Sequence, residues 1–181
     1  KFEATDKRRG DAYTGVTNVS GMRVGLLFGQ QFDQNGVALK DRKGGNLSFT
    51  KAVKAVETDP ATLEVTGIRV VKYPPDYNNG DNVDNDFVIL RLADVLLMKA
   101  EAILRGGTAT NVAPYGATAV SIVNYVRTHS SRGASSLASL NLDQLLDERG
   151  RELYWEGWRR MDLIRFGKFL QPGEIRKTTS P

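Results

Sequence analysis

The spacing of hydrophobic residues changes near residue 87, where long helical patterns begin. Residues 87–105 are rich in Leu, Ala, Met, Glu and Lys, which are strong helix formers. Their apolar positions recur at spacings of four and three, as one face of a helix requires: Leu92, Leu96, Ala100 and Ile103. This pattern predicts an amphipathic helix that is capped by Asp86 and stopped by Gly106-Gly107.

Three further helices are predicted downstream. The next one spans about 116–128, and a loop of about ten residues joins it to the first helix in a hairpin. A third helix begins near Asn141, which suits an N-cap, and ends by residue 155 or bends at Gly157. A short fourth helix is predicted at 159–166. The apolar faces of the second and third helices are Ala119, Val120, Val123 and Val126, and Leu142, Leu145, Leu146 and Leu153.

The first 86 residues have a different texture. Glycine recurs there every few residues, which disfavours long helices. Short β-prone runs lie at 23–28, 47–56 and 68–73, and the last of them stops at Pro74-Pro75, which cannot continue a strand ladder. We therefore predict a mainly α-helical fold: a helical hairpin and further helices, in a tetratricopeptide-like context, with long loops and a few short strands.

Composition adds limits to this picture. A length of 181 residues suits one domain, made of a loop-rich segment at 1–86 and a helical segment at 87–181. The net charge of +4 is spread along the chain, which does not favour nucleic-acid binding. No apolar run reaches the about 18 residues of a membrane span. The chain opens without an initiating Met or a signal peptide, so we expect it to be part of a longer protein.

Three segments carry a resemblance to a known family. Residues 91–102 (RLADVLLMKAEA), 123–134 (VNYVRTHSSRGA) and 145–169 (LLDERGRELYWEGWRRMDLIRFGKF) resemble, in order, the C-terminal half of the SusD/RagB family of glycan-binding lipoproteins of Bacteroidetes. The run at 67–76 resembles the strand that precedes the first of these segments. Leu92 stands where the family usually has an aromatic residue. The third segment matches the family motif at Glu148, Arg149, Glu152, Leu153, Glu156, Gly157, Arg159, Asp162, Leu163, Arg165 and Gly167.

The resemblance implies a function for the longer protein. It would be an outward-facing outer-membrane lipoprotein, held only by a lipid anchor that this chain does not include. It would bind an oligosaccharide or another nutrient without cleaving it, and deliver it to a TonB-dependent (SusC-like) transporter. No cofactor is implied. The alternative is a helical interaction module that contacts the transporter without binding glycan itself.

Trp155 and Trp158 lie among charged residues, and two interpretations of them compete. On a continuous helix, Trp155 would share one face with Glu148, Glu152, Arg159 and Asp162. Carboxylates that pair with arginines beside tryptophans favour a structural corner packed by the indoles. The alternative is a platform on which a sugar stacks.

Catalytic and metal sites find little support in the sequence. Glu148 and Glu152 could act as the catalytic pair of a retaining glycosidase only if their carboxyl groups were about 5–5.5 Å apart, which the spacing does not establish. The adjacent arginines would also lower the pKa values of both carboxyl groups, so neither would serve as the general acid. His129 is the only histidine and is expected to face solvent, so histidine triads and His-based zinc sites lack partners. Asp81, Asp84 and Asp86 lack the order of a calcium loop, which favours a solvated turn.

Candidate ligand contacts lie in the glycine-rich part. An aromatic face beside amides can stack on a sugar ring and bind its hydroxyls, as Tyr77 and Asn78 would do. Each aromatic side chain could instead pack its own loop onto the body of the protein. The ligand-binding residues predicted are Tyr13, Tyr73, Tyr77 and Asn78, with Phe28 and Phe32 as further aromatic candidates.

Overall fold

A computed structural model describes residues 2–9, 25–33, 35–53, 56, 58–73, 86 and 88–172, with the side chain of Ala61 left out. The chain divides into two compact units. We call residues 1–6 together with 88–181 the helical unit, and residues 7–87 the loop-rich unit. Helices dominate the secondary structure, and the strands are two or three residues long, so the predicted mainly α-helical fold with a few short strands is confirmed.

The described part of the loop-rich unit contains two small antiparallel sheets. Strand β1 (Gly25–Leu27) pairs with β4 (Arg69–Val71), and β2 (Gly29–Gln30) pairs with β3 (Ser48–Phe49). A 3-10 turn spans Lys7–Arg9. Each of the three β-prone runs therefore contains a strand, but the described strands are shorter than predicted. Residues 23 and 24, at the start of the first run, lie outside the described residues.

Helix α1 (Pro60–Val65) in the same unit was not predicted. Pro60 at its first position needs no hydrogen-bond acceptor there and has a φ suited to a helix. Arg69 closes the other end, because its guanidinium donates to the carbonyl oxygens of Leu63 at 3.0 Å and Thr66 at 2.7 Å. A cation at the C-terminal end of a helix also interacts favourably with the helix dipole. The Asp59-Pro60 pair was the sequence signal for this helix.

The helical unit is built from α2 (Leu92–Leu104), α3 (Ala119–Thr128), α4 (Leu142–Glu152) and α5 (Arg159–Arg165). Helices α2 and α3 pack as the predicted hairpin, α4 packs on α2, and α5 packs on α4. Burying a Leu, Ile or Val side chain fully contributes about 1.5–3 kcal/mol. The fully enclosed apolar residues of this core are Leu97, Ala100, Ile122, Val123 and Leu145.

Polar caps fix the starts of α3 and α4. Thr118 and Ser121 form a reciprocal capping box at α3, and Asn141 and Gln144 form another at α4. The amide N–H of Gln144 donates to Asn141 Oδ1 at 2.8 Å, and the N–H of Asn141 donates to Gln144 Oε1 at 2.9 Å. Such boxes satisfy N–H groups that have no partner within the helix. The predicted cap at Asn141 is confirmed.

The predicted start of α2 is wrong. The helix begins at Leu92 rather than near residue 87, Asp86 is not its cap, and Arg91 at the N-cap is extended (φ −142°, ψ 157°). Leu92 is 55% exposed, so it does not belong to the buried face of α2 as the predicted apolar stripe implied. The extended backbone of Arg91 directs its guanidinium to two glutamates of distant sequence, and this contact displaces the local helical pattern. The face that is buried consists of Ala93, Leu96, Leu97 and Ala100.

The predicted stop of α2 at Gly106-Gly107 is confirmed. The N–H of Gly106 donates to the carbonyl of Ile103 at 3.0 Å, and the N–H of Gly107 donates to that of Ala102 at 2.8 Å. These two bonds form a Schellman motif, which requires a left-handed residue just past the helix. Gly106 supplies it with a φ of +98°.

Gly106→Ala should therefore lower the free energy of unfolding by about 1 kcal/mol, because a Cβ disfavours this φ. Chemical denaturation would measure the loss. Thr108→Ala, at an exposed position just after the motif, is the control and should change stability by less than about 0.5 kcal/mol. An unchanged midpoint for Gly106→Ala would show that the turn adopts another conformation.

Candidate functional site

Buried arginines and carboxylates join the helices of the helical unit. We call this set the arginine–carboxylate network. Its members lie on α2, α3, α4 and α5 and on segments that contact these helices. The arginines are Arg91, Arg105, Arg127, Arg132, Arg149, Arg151 and Arg165, and the acids are Glu3, Asp94, Glu101, Glu148, Glu152, Glu156 and Asp162.

Arg149 is the centre of this network. Its side chain is 1% exposed, and its Nε donates to Asp162 Oδ2 of α5 at 2.9 Å. Its Nη2 lies 2.9 Å from Asp94 Oδ1 of α2. Among the described residues, neither oxygen of Asp94 nor Nη1 of Arg149 has a hydrogen bond, so the Asp94 contact is an ion pair without hydrogen-bond alignment. One guanidinium thus links three helices.

A second group surrounds Glu148, which is fully buried. Its Oε2 accepts hydrogen bonds from Nη1 of Arg127, which is itself buried, and from Nη2 of Arg151 at 2.8 Å. Arg127 also pairs with Glu3, whose other carboxylate oxygen accepts the N–H of Ser135 at 2.9 Å. That hydrogen bond from Ser135 is the main reason why the pKa of Glu3 is lowered. These contacts attach the first residues of the chain to the helical unit.

A third group forms where α4 ends. Glu152 accepts hydrogen bonds from Arg91 at 2.7 Å and from Arg132 at 2.6 Å, and Glu156 accepts from Arg91 Nε at 2.8 Å. Burial alone would raise the pKa of Glu152, but the hydrogen bonds and charges of the two arginines outweigh it and lower the pKa to about 2. Glu152 is therefore ionised throughout the neutral range. The lowered pKa of Glu152 was expected, but the arginines responsible are Arg91 and Arg132 and not its neighbours in sequence.

A fourth group closes the network at α5. Arg165 donates to Glu101 Oε2 of α2 at 2.9 Å and to Asp162 Oδ1 at 2.8 Å, and Arg105 donates to Glu101 at 2.9 Å. Burial raises the pKa of Glu101, but the hydrogen bonds of Arg165 and Arg105 reverse the shift and leave it lowered. Every acid of the network therefore faces at least one guanidinium.

The two tryptophans do not share the environment that was predicted. Helix α4 ends at Glu152, so Glu148, Glu152, Trp155 and Asp162 do not lie along one helix, and that prediction is wrong. Trp155 adopts a left-handed backbone (φ 63°), and its residue is 76% exposed. Trp158 is half-buried at the N-cap of α5. The ion pairing of the predicted corner is confirmed, whereas the packing of both indoles into it is wrong for Trp155.

The described residues of the helical unit line, among others, two cavities next to the arginine–carboxylate network. One has a volume of about 280 Å³ and is lined by residues that include Phe2, Asp147, Gly150, Tyr154, Trp155 and Arg159. We call it the Trp155 cavity. The other, of about 260 Å³, is lined by residues that include Arg91, Leu92, Leu96, Tyr125, His129 and Arg132. The exposed indole of Trp155 is thus next to a concave surface, which the sequence did not reveal.

The structure describes only one of the four predicted ligand-binding residues. Tyr73 is 43% exposed just after β4, whereas Tyr13, Tyr77 and Asn78 lie outside the described residues. The proximity of these four side chains therefore stays a prediction. Of the further candidates, Phe28 has Lys51 Nζ 4.4 Å above its ring, and Phe32 forms a β-bridge with Ala38.

The remaining candidates from the sequence are His129 and the three aspartates considered for calcium binding. His129 is exposed, as expected, and its Nδ1 lies 2.8 Å from Ser131 Oγ. Within the described ranges, no group of three or more His, Cys, Asp or Glu residues is arranged to hold a metal ion. Asp81 and Asp84 fall outside those ranges, and Asp86 is exposed. None of the described helices is long and apolar enough to cross a membrane.

The fold and its charged interior define an α-helical protein whose helices are joined by buried arginine–carboxylate pairs. Similarity to known proteins identifies it further. The SusD family model matches residues 17–178, and the chain belongs to the SusD family. The resemblance in the three motif segments is thereby confirmed.

Two curated relatives are similar to this chain. The Starch-binding protein SusD of Bacteroides thetaiotaomicron is 32% identical over 123 residues, which cover 64% of this chain and 20% of that protein. The SusD-like protein P38 of Formosa agariphila is 27% identical over 140 residues, which cover 71% of this chain and 25% of that protein. The chain spans between a fifth and a quarter of the length of these relatives.

Removal of the Arg149 guanidinium should strongly destabilise the fold. Arg149→Met should lower the free energy of unfolding by about 3–5 kcal/mol, because it leaves the buried Asp94 and Asp162 short of a counter-charge. Urea denaturation would measure this. Arg160→Gln removes the same charge from an exposed arginine that stacks 5.1 Å from the Phe169 ring, and should cost less than about 1 kcal/mol. Equal losses in the two variants would contradict a central role for Arg149.

The lowered pKa of Glu152 predicts an acid-sensitive contribution to stability. A carboxyl with a pKa of about 2 when folded and 4.5 as its ordinary value stabilises the fold above pH 4.5. That contribution, about 3 kcal/mol, should disappear as the pH falls from about 4.5 towards 2. The stability difference between the wild-type chain and Glu152→Gln, measured by urea denaturation, should shrink over this range. A difference that is constant with pH would show that Glu152 is not held by Arg91 and Arg132.

Proposed function

We propose that this chain serves in non-catalytic binding of nutrient glycans on the outside of the bacterial outer membrane. The protein to which it belongs would be held there by a lipid anchor and would deliver its ligand to a TonB-dependent transporter. Membership of the SusD family supports this proposal, as does similarity to a relative named as starch-binding. The activity of the whole protein is inferred, since the chain matches only 20% and 25% of the two relatives.

The burial and ion pairing of Glu148 and Glu152 support binding of the glycan rather than its cleavage. A glycosidase needs a carboxylic acid with a raised pKa near a second carboxylate. Glu148 is fully buried under Arg127 and Arg151, and Glu152 has its pKa lowered to about 2. Glu152 therefore has no proton to donate to a leaving group at neutral pH. Both carboxyl groups of this pair, the best candidate in the sequence, are buried and give no access to a sugar.

The proposed ligand contacts are Tyr13, Tyr73, Tyr77 and Asn78. Tyrosine rings present an apolar face to the C–H groups of a sugar, and the amide of Asn78 offers both a donor and an acceptor to its hydroxyls. The partial exposure of Tyr73 supports its part in such a surface. No cofactor enters this mechanism, because binding needs only stacking and hydrogen bonds.

A specific observation favours a second candidate, a helical module that contacts the transporter without binding glycan. Helix α2 presents apolar side chains away from the core at spacings of three: Leu92 (55% exposed), Val95 (48%) and Met98 (41%). Ile89 and Leu90 extend this surface and are 72% and 63% exposed. Neighbouring exposed apolar residues of this kind are typical of protein contact surfaces.

Tyr73→Ala tests the proposal. If Tyr73 stacks on a sugar, this variant should bind starch-type oligosaccharides on a glycan array or by calorimetry roughly tenfold more weakly, which is about 1.4 kcal/mol. Tyr73→Phe keeps the ring and is the matched control, with near wild-type affinity expected. Absence of glycan binding by the wild-type chain, together with transporter capture that Val95→Glu and Met98→Glu abolish, would favour the interaction module instead.

A further inference from the structure

Trp155 has a left-handed backbone conformation, which is unfavourable for tryptophan. A left-handed φ is rare for residues other than Gly and Asn, and is an outlier for bulky ones. Its indole makes no ring, hydrogen-bond or cation contact with the described residues, and the residue is 76% exposed. Strained residues of this kind persist mainly where function requires them. Packing therefore does not account for tryptophan at this position.

The cavity beside Trp155 is close in size to a small-molecule site. Its volume of about 280 Å³ lies just below the range of small-molecule sites, which begins at about 300 Å³. Phe2 and Tyr154, which meet edge to face with ring centroids 6.0 Å apart, line it together with Trp155. This aromatic lining can accept the C–H face of a pyranose ring.

Arg159 gives the cavity a charged group outside the arginine–carboxylate network. Its Nη1 donates to the carbonyl oxygen of Leu146 at 2.7 Å, which fixes the orientation of the guanidinium. Gly150 makes room for it on α4, since a Cβ at that position would lie 2.9 Å from Arg159 Nη1. Within the described residues, Arg159 has no carboxylate within ion-pair distance. The guanidinium is thus positioned but not neutralised.

The other charges of the cavity also favour an anion. Arg149 and Arg151 line it together with Asp147 and Asp162. Asp162 already accepts hydrogen bonds from Arg149 and Arg165. The buried Arg149 Nη1 has no hydrogen-bond acceptor among the described residues. Guanidinium donors are well suited to carboxylate and sulfate oxygens, because their planar fork bonds two oxygens at once.

We propose that the Trp155 cavity is a subsite for a sugar residue that carries a carboxylate or sulfate group. The indole of Trp155 stacks on the pyranose ring, and Arg159 binds the anionic group. This inference rests on the proposed glycan-binding function and adds to it a second contact surface, on the helical unit, with a preference for acidic glycans. Trp155 and Arg159 are binding residues in this scheme, and Gly150 is a positioning residue that acts through Arg159.

The test compares two defined probes on the full 181-residue chain: a galacturonic-acid oligosaccharide and a neutral starch-type oligosaccharide of the same length. Calorimetry and quenching of tryptophan fluorescence report binding. Trp155→Gly and Arg159→Gln should each weaken binding of the acidic probe by roughly tenfold or more. Arg160→Gln, which removes a neighbouring arginine that does not line the cavity, should leave it unchanged. Binding of the acidic probe should also weaken as salt is added.

Two further variants separate binding from folding. Glycine adopts the left-handed backbone readily, so Trp155→Gly should keep or raise the midpoint of urea denaturation while the acidic probe is lost. Gly150→Ala should displace the Arg159 guanidinium and weaken binding of the acidic probe although every charge remains. A midpoint that falls in Trp155→Gly, with acidic-probe affinity unchanged, would overturn the proposal by showing that the indole is structural.

The outcomes also distinguish this subsite from the proposed function. Binding of the neutral probe that is lost in Tyr73→Ala, with no affinity for the acidic probe, would overturn the Trp155 subsite and leave glycan binding intact. Equal affinity for both probes that survives Trp155→Gly and Arg159→Gln would overturn it as well. Absence of binding to any glycan would contradict the proposed function and, with it, this inference. A sulfated oligosaccharide in a parallel titration shows whether the site distinguishes the two anionic groups.

Discussion

The burial of Arg149 between Asp94 and Asp162 is the constraint on which the rest of the helical unit depends. Removal of a charged group from water costs several kcal/mol even after the protein relaxes, and only well-placed opposite charges offset it. The three residues come from three different helices, so the offset exists only when α2, α4 and α5 are in one arrangement. Apolar side chains tolerate small shifts, but a buried guanidinium does not. The network therefore specifies the packing more than it adds to stability.

This use of charge determines which groups remain for function. The acids at the helix interfaces lie against guanidinium groups inside the protein, so they hold the helices together and are buried away from a substrate. The proposed ligand contacts accordingly lie outside the network, at side chains such as Tyr73, Trp155 and Arg159. An interior satisfied by its own charges, with aromatic and cationic groups at its surface, fits a protein that holds a ligand without changing it.

Local pattern predicted those parts of the fold that local forces decide. The hairpin of α2 and α3, the cap at Asn141 and the stop at Gly106 all follow from spacing and from capping residues. The start of α2 did not follow, because Arg91 pairs with glutamates 61 and 65 residues away in sequence. Of the four predicted ligand contacts, Tyr73 alone lies among the described residues, and it is partly exposed. The Trp155 cavity was not predictable, because it depends on where α4 ends.

The position at which α4 ends explains why residue 155 is exposed, but not why this residue is a tryptophan. Glu152 and Glu156 both reach Arg91, and this requires the chain to turn tightly between them. Trp155 and Gly157 make the turn with positive φ values of 63° and 81°. Glycine or asparagine would serve at position 155 with less strain, and a small side chain would expose less apolar surface to water. The turn thus explains why the side chain of residue 155 points to solvent. The choice of an indole at this position is explained by the proposed ligand and not by the packing of the helical unit.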